Sequence, residues 1–144
     1  MTDKFDLISK RRISDEELRD ILTPEQYQVT QNKGTEPAFS GKYLDIKQEG
    51  YFVCICCGSE LFSSEHKFDS GTGWPSFWLA SDERNLKIER DVSYGMIREE
   101  VMCFACDAHL GHLFNDGPKP SGLRYCINSA SLQFKKGSKE EEVE

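Results

Sequence analysis

The sequence predicts a mainly β domain with antiparallel pairing, opened by two short helices and clipped together by a four-cysteine metal site. Three observations predict it. After Gly34 the chain breaks into short aliphatic and aromatic segments punctuated by Gly, Pro, Asn, Asp and Ser, the texture of strands and turns rather than of long helices. Before Gly34, two helix-start signatures follow each other closely. Two C-x-x-C pairs, Cys54/Cys57 and Cys103/Cys106, lie far apart in the chain.

The 144 residues suit one domain with its own core. Residues 1–13 are polar and mixed in charge, and are expected to form a flexible segment. The folded domain is expected over 14–135. "SDEELRDIL" starts a helix, with Ser14 and Glu17 as a capping box and acids at the positive end of the helix dipole. "TPEQYQVTQNKG" repeats the device. Thr23 caps, Pro24 suits the first turn, Gln26 reaches back, and Gly34 lies just past the end. The strand candidates are "GYFVCIC", "RNLKIERD", "YGMIREEVMC", "HLGHLF", "LRYCIN" and "SLQF". The charged tail over 136–144 has nothing to bury and is expected to be disordered.

The net charge of −7 makes the chain a poor partner for phosphate backbones, so no nucleic acid is expected. No apolar run approaches the ~18 residues that a membrane helix needs. The N-terminal segment carries no apolar leader core, so the expected compartment is the cytoplasm. There, paired cysteines are more often metal ligands or redox catalysts than structural disulfides.

Two residues between cysteines let both thiolates face one point, and two such pairs supply a tetrahedral zinc site: Cys54, Cys57, Cys103 and Cys106. The 45 residues between the pairs exceed a compact ribbon, so one zinc per chain would clip distant β-segments together. Four thiolates leave no open position for water, which makes the site structural. Redox disulfides are the competing reading, but a thioredoxin-type motif opens a helix in a βαβ unit and neither pair does so. Cys56, inside "CICC", reads as a small buried or half-buried thiol.

That leaves Cys126. In a strand, Arg124, Cys126 and Asn128 share one face, while Tyr125 and Ile127 share the other and pack inward. A guanidinium beside a thiol favours the thiolate, which is the nucleophile; an inert buried thiol is the other reading of Cys126. His109 and His112 lie three apart in "AHLGHLF", so they converge only if the backbone departs from a regular strand, which Gly111 permits. A histidine beside a thiolate can activate it or serve as general acid; the other reading makes both histidines zinc ligands or surface groups. His66 is expected to be solvated. "DSGTGWPSFW" carries Trp74, Phe77 and Trp78 on a Gly-rich loop, able to form an apolar box for a small ligand or simply to pack in the core.

"LTPEQYQVTQNKGTEPAFSGKY", "FDSGTGWPSF", "CDAHLGHLFNDGP" and "GLRYCINSASLQF" resemble the B-type methionine sulfoxide reductases, over roughly residues 22–134. The resemblance implies two antiparallel β-sheets with short N-terminal helices. It implies reduction of methionine-R-sulfoxide, free or in oxidised proteins, to methionine. Cys126 would be the nucleophile, passing through a sulfenic acid, and His112 would protonate the sulfoxide oxygen. His109 and Asn128 would complete the polar network, with Arg124 near the nucleophile. Trp74 would be the wall for the ε-methyl group, with Phe114 assigned beside it to the substrate. The four zinc cysteines match the family's metal-binding members. Thioredoxin or a small thiol would be the reductant, and the chain is expected to act as a monomer. One departure stands out: Thr72 occupies the position where many members carry a resolving cysteine.

A zinc-ribbon binding module without catalysis is the alternative, but it has no use for a charge-flanked lone cysteine. A zinc hydrolase or deaminase would need an open metal site and an H-x-E motif, which the chain lacks.

Overall fold

The computed structural model describes residues 14–137. The flexible segment expected over 1–13, and all of the expected tail beyond Gly137, lie outside the described residues.

Among the described residues two helices come first, α1 (Asp15–Ile21) and α2 (Pro24–Gln31). Both capping boxes form. The Glu17 amide donates to Ser14 Oγ at 3.1 Å, and the Gln26 amide to Thr23 Oγ1 at 3.1 Å. Each cap is worth about 1 kcal/mol of helix stability. Leu18 and Val29 face the core. At the end of α2 it is Lys33, not Gly34, that takes the left-handed conformation, with φ 59°. Gly34 instead lies against Gln28, whose carbonyl accepts its N–H at 3.0 Å.

Nine strands follow among the described residues: β1 (Gly50–Cys54), β2 (Glu60–Ser63), β3 (Lys67–Phe68), β4 (Ser76–Phe77), β5 (Leu86–Asp91), β6 (Arg98–Cys103), β7 (His109–Phe114), β8 (Arg124–Ile127) and β9 (Leu132–Lys136). They form two antiparallel sheets, one ordered β2-β1-β9 and the other β3-β4-β8-β7-β6-β5. All six expected strand segments contain strands. The segment "YGMIREEVMC" pairs only from Arg98, because Tyr94 and Gly95 both take positive φ (57° and 71°) and turn the chain first. The short strands β2 to β4 carry too few residues to show a period in sequence.

The inward faces of the two sheets meet in an aromatic cluster. Phe52 and Phe62 come from the three-stranded sheet, and Phe77 and Tyr125 from the six-stranded one. Phe62 stacks on Phe77 with centroids 4.4 Å apart, and Phe52 meets Phe77 edge-on at 5.2 Å. Phe52, Phe62 and Phe77 are wholly buried, so truncating any of them to Ala would cost about 3–5 kcal/mol. Tyr125 and Ile127 point into this core. By strand alternation, Arg124 and Cys126 therefore face outward.

Candidate active site

β8 and β7 bring the chemistry together. Their register pairs His112 with Cys126 and Phe114 with Arg124. Directly opposed residues share a face, with Cβ atoms about 4.5–5.5 Å apart, so His112 stands beside the Cys126 thiol. Gly111 allows this close approach. A Cβ built on it would lie 2.0 Å from the Cys126 carbonyl oxygen. The departure from a regular strand that brings the two histidines together comes from an irregularity in the β6–β7 register. Val101 pairs with Gly111 but Met102 with His109, leaving Leu110 as an extra residue. The two imidazoles then lie 5.5 Å apart.

On the other side of β8, Ser76 of β4 pairs with Cys126. The loop before β4 turns through Gly71 and Gly73, both at positive φ, and presents Trp74. Gly73 also has no room for a Cβ, which would meet Ala38 and Phe39 at 2.8–2.9 Å. The Trp74 indole N–H donates to the Glu36 carbonyl at 2.9 Å. Glu36 also donates its own N–H to Asn128 Oδ1 at 3.0 Å, while its Oε1 accepts from the Ala130 amide at 2.9 Å. One buried residue therefore holds both Trp74 and Asn128.

These elements enclose a cavity of about 90 Å³ lined by Trp74, His112, Phe114, Cys126 and Asn128, with Thr35, Arg98 and Gly111. Five of the seven residues assigned to catalysis or substrate from sequence thus line one space. The other two do not. His109 is buried behind His112, its Nδ1 2.7 Å from Glu100 Oε2. Arg124 lays its guanidinium over the Phe114 ring at 4.3 Å and pairs with Asp116 at 2.8 Å. The Asn128 side chain is already committed, because its Nδ2 donates to the Leu110 carbonyl at 3.0 Å.

The electrostatics differ from the sequence expectation at Cys126. Burial pushes its thiol above the usual cysteine value, and this outweighs the opposing pull of the Arg124 guanidinium and the Thr72 hydroxyl. Asp116, paired with Arg124, adds a small further push in the same direction as burial. Burial also pushes His109 below its ordinary value, against the pull of Glu100. His112 Nε2 lies 2.8 Å from Asp91 Oδ2. That contact, with the Ser93 amide, holds the Asp91 carboxyl well below the carboxylate range. His66 is half-buried rather than solvated, its ring edge-on to Trp78 at 4.7 Å. Trp78 therefore stays with His66, and Phe77 with the core, so Trp74 is the aromatic of that loop that reaches the cavity.

The four paired cysteines gather apart from this cavity. The Sγ atoms of Cys54, Cys57, Cys103 and Cys106 lie within 4.8 Å of one another. Cys54–Cys106 and Cys57–Cys103 are 3.6 Å apart. A tetrahedron of four Zn–S bonds of ~2.3 Å has S···S edges of about 3.8 Å, so the cluster fits that ion. The two turns are built alike. The Gly58 N–H donates to the Cys54 carbonyl and the Asp107 N–H to the Cys103 carbonyl, each at 2.8 Å. Gly58 and Asp107 are both at positive φ. The first turn joins β1 to β2 and the second joins β6 to β7, so a bound metal would join the two sheets. Cys56 is buried and outside the cluster, its Sγ 3.5 Å from Gln31 Nε2.

The family model described as the SelR domain matches residues 22–136. A peptide methionine sulfoxide reductase MsrB of Thioalkalivibrio sulfidiphilus is 61% identical over 128 residues, covering 89% of this chain and 93% of its own. The chain belongs to the MsrB family. Proteins of the same name from Hahella chejuensis and Acinetobacter baylyi are 56% and 57% identical, over 88% and 84% of this chain and 91% and 87% of theirs.

Within this MsrB-family fold, three site residues escaped sequence reasoning. Asp91 and Glu100 contact His112 and His109, and Glu36 holds Trp74 and Asn128. The signal for Glu100 was an acid directly before the apolar run "VMC" of a strand, a position where a carboxylate is costly unless paired. Nothing local marks Asp91 or Glu36. Among the described residues, no helix is long and apolar enough to cross a membrane.

Proposed function

We propose that the chain reduces methionine-R-sulfoxide to methionine, with Cys126 as nucleophile. The observation that carries this is the placement of the Cys126 thiol and the His112 imidazole on one face of a small cavity walled by Trp74. The relatives' shared name supports the same reaction.

The substrate's methyl group packs on Trp74, and its oxygen turns toward His112. The Cys126 thiolate attacks the sulfoxide sulfur while His112 gives a proton to the oxygen. Asp91, whose Oδ2 lies 2.8 Å from the ring Nε2, orients it. In net terms one oxygen atom moves from the substrate sulfur to Sγ, giving methionine and a Cys126 sulfenic acid. An apolar wall on one side and a proton donor on the other admit the R epimer and reject the S. Asn128 holds its place through Glu36 and Leu110. His109 stands beside His112 without lining the cavity, and Arg124 backs the Phe114 ring, which does line it.

Thr72 cannot resolve the sulfenic acid. An external thiol, thioredoxin or a small one, attacks Sγ, releasing water and forming a mixed disulfide. A second thiol then frees Cys126. The four paired cysteines hold one structural zinc per chain, whose chemistry here is to tie two turns together. The reaction needs free thiols, so a reducing compartment such as the cytoplasm suits it, and we assign the reductase to a single domain over 14–135 acting as a monomer on oxidised proteins or the free amino acid.

The test is a paired assay on the R and S epimers of N-acetyl-methionine sulfoxide with dithiothreitol as reductant. Turnover of R alone is expected. Equal turnover of both epimers, or of neither, would refute the assignment.

A further inference from the structure

The cavity beside Cys126 is small. Its 90 Å³ is well below the roughly 300–1,000 Å³ of pockets that enclose a whole small ligand. It admits the end of one side chain. A polypeptide carrying that side chain must lie across the rim, and the rim has a distinct character.

Seven large apolar side chains are exposed among the described residues: Ile21, Phe39, Ile88, Val92, Tyr94, Met96 and Ile97. Single exposed apolar residues need no explanation. Here four of the seven sit on one six-residue turn, between β5 and β6. Tyr94 is 88% exposed and Ile97 74%. The turn is built, not frayed. Asp91 Oδ1 accepts from the Ser93 amide at 2.9 Å, the Ser93 carbonyl accepts from the Met96 amide at 3.1 Å, and Tyr94 and Gly95 hold positive φ.

The two residues that root this turn belong to the site. Asp91 contacts His112, and Arg98 lines the cavity and pairs with Asp91 at 3.3 Å. The apolar turn therefore springs from residues that sit at the cavity. On the opposite side, next to Trp74, Phe39 is 70% exposed, its N–H bonded to the Gly73 carbonyl at 2.7 Å. Exposed apolar side chains thus lie on segments joined to the His112 side and to the Trp74 side of the site.

We propose that the 92–97 turn and Phe39 form a docking surface for an extended polypeptide whose residues flanking the methionine sulfoxide are apolar. This rests on the function proposed above. The occupant follows from chemistry. Methionine mostly sits in cores, beside apolar neighbours, and oxidation to the polar sulfoxide disrupts that packing. The segment so released offers an apolar strand with a sulfoxide in its middle. The small cavity takes the sulfoxide, and the tip takes its neighbours.

The test compares the full chain with a Tyr94→Ser/Ile97→Ser double variant, whose exposed positions leave the core untouched. Three R-sulfoxide substrates are used, all with dithiothreitol: N-acetyl-methionine sulfoxide, a peptide with Leu and Phe beside the sulfoxide, and one with Ser and Gly there. The variant should lose about tenfold in kcat/KM on the Leu/Phe peptide, mainly through KM, as expected when exposed aromatic anchors are truncated. It should match the parent within twofold on the other two. Equal loss on all three substrates, or no loss on the Leu/Phe peptide, overturns the docking surface. The Leu/Phe peptide is also assayed with thioredoxin in place of dithiothreitol, and a loss seen only there reassigns the turn to the reductant and also overturns the docking surface. Absence of any R-sulfoxide turnover by the parent would instead refute the underlying function.

Discussion

Gly111 and Cys126 touch backbone to backbone across β7 and β8: the space where a Cβ on Gly111 would go ends 2.0 Å from the Cys126 carbonyl oxygen. The atom in the way is backbone, so the only relief is to part the strands. Gly111→Ala is expected to destabilise the protein by about 1–3 kcal/mol, the usual cost of overpacking. It should also slow the reductase step by separating His112 from the thiol. Thermal unfolding and single-turnover assays check both; an unchanged melting temperature would contradict the close approach.

Burial sets the pH behaviour of Cys126. Its thiol lies above the ordinary cysteine value, so the thiolate is the minor form at neutral pH and grows as pH rises. The rate of alkylation by iodoacetamide should therefore climb from pH 7 toward 9 and inflect above the ~8.5 of a free cysteine. An inflection below that value would mean that Arg124 prevails over burial. Cys126→Ser should abolish turnover and leave the unfolding transition where it was.

His112 and Trp74 should fail in different ways. His112→Ala is expected to slow single-turnover reduction by about 10²–10⁴, the usual share of general-acid catalysis. Trp74→Ala should raise KM and blur the epimer preference. Identical profiles for the two variants would undo the division between proton donor and wall.

The cysteine cluster should be a structural strut. Structural zinc contributes on the order of 10 kcal/mol to the folding of small zinc domains, and less where a separate core exists. Cys103→Ser, or chelation under denaturant, should lower the melting temperature, with one equivalent of zinc released per chain. A chelated protein that melts unchanged would rule out this role.

Thr72 lies close enough to Cys126 for its hydroxyl to favour the thiolate. Thr72→Cys is therefore expected to form a disulfide with Cys126 after one turnover without reductant, seen by intact mass as a loss of two hydrogens. In the natural sequence a sulfenate-specific reagent should trap Cys126 instead. A Cys56–Cys126 disulfide in its place would contradict recycling by an external thiol.

What was legible in the sequence was local or strictly periodic. The capping boxes of α1 and α2 close within three residues, and each cysteine turn within four. Alternation in β8 placed Tyr125 and Ile127 inside and Cys126 outside. That His109 and His112 could converge if the backbone left a regular strand was legible; the extra residue at Leu110 that brings it about was not, because a register irregularity is a property of two strands. The partners of His112, His109 and Asn128 stayed hidden for the same reason. Asp91 and Glu36 lie 21 and 92 residues away along the chain, beyond any local window, and Glu100, only 9 away, meets His109 across a hairpin whose register the sequence does not show.

Glu36 has one more consequence. Its carbonyl accepts from Trp74 and its N–H donates to Asn128, so two faces of the cavity hang from successive peptide units of a single residue. The path between them is short: two hydrogen bonds, of 2.9 and 3.0 Å, and the backbone of one residue. Sheets flex, but this gauge does not stretch with them. Handedness at a sulfur atom is decided by which side of a fixed opening a methyl and an oxygen occupy. The chain carries that measure in one buried residue behind the cavity wall, rather than in the breathing of its strands.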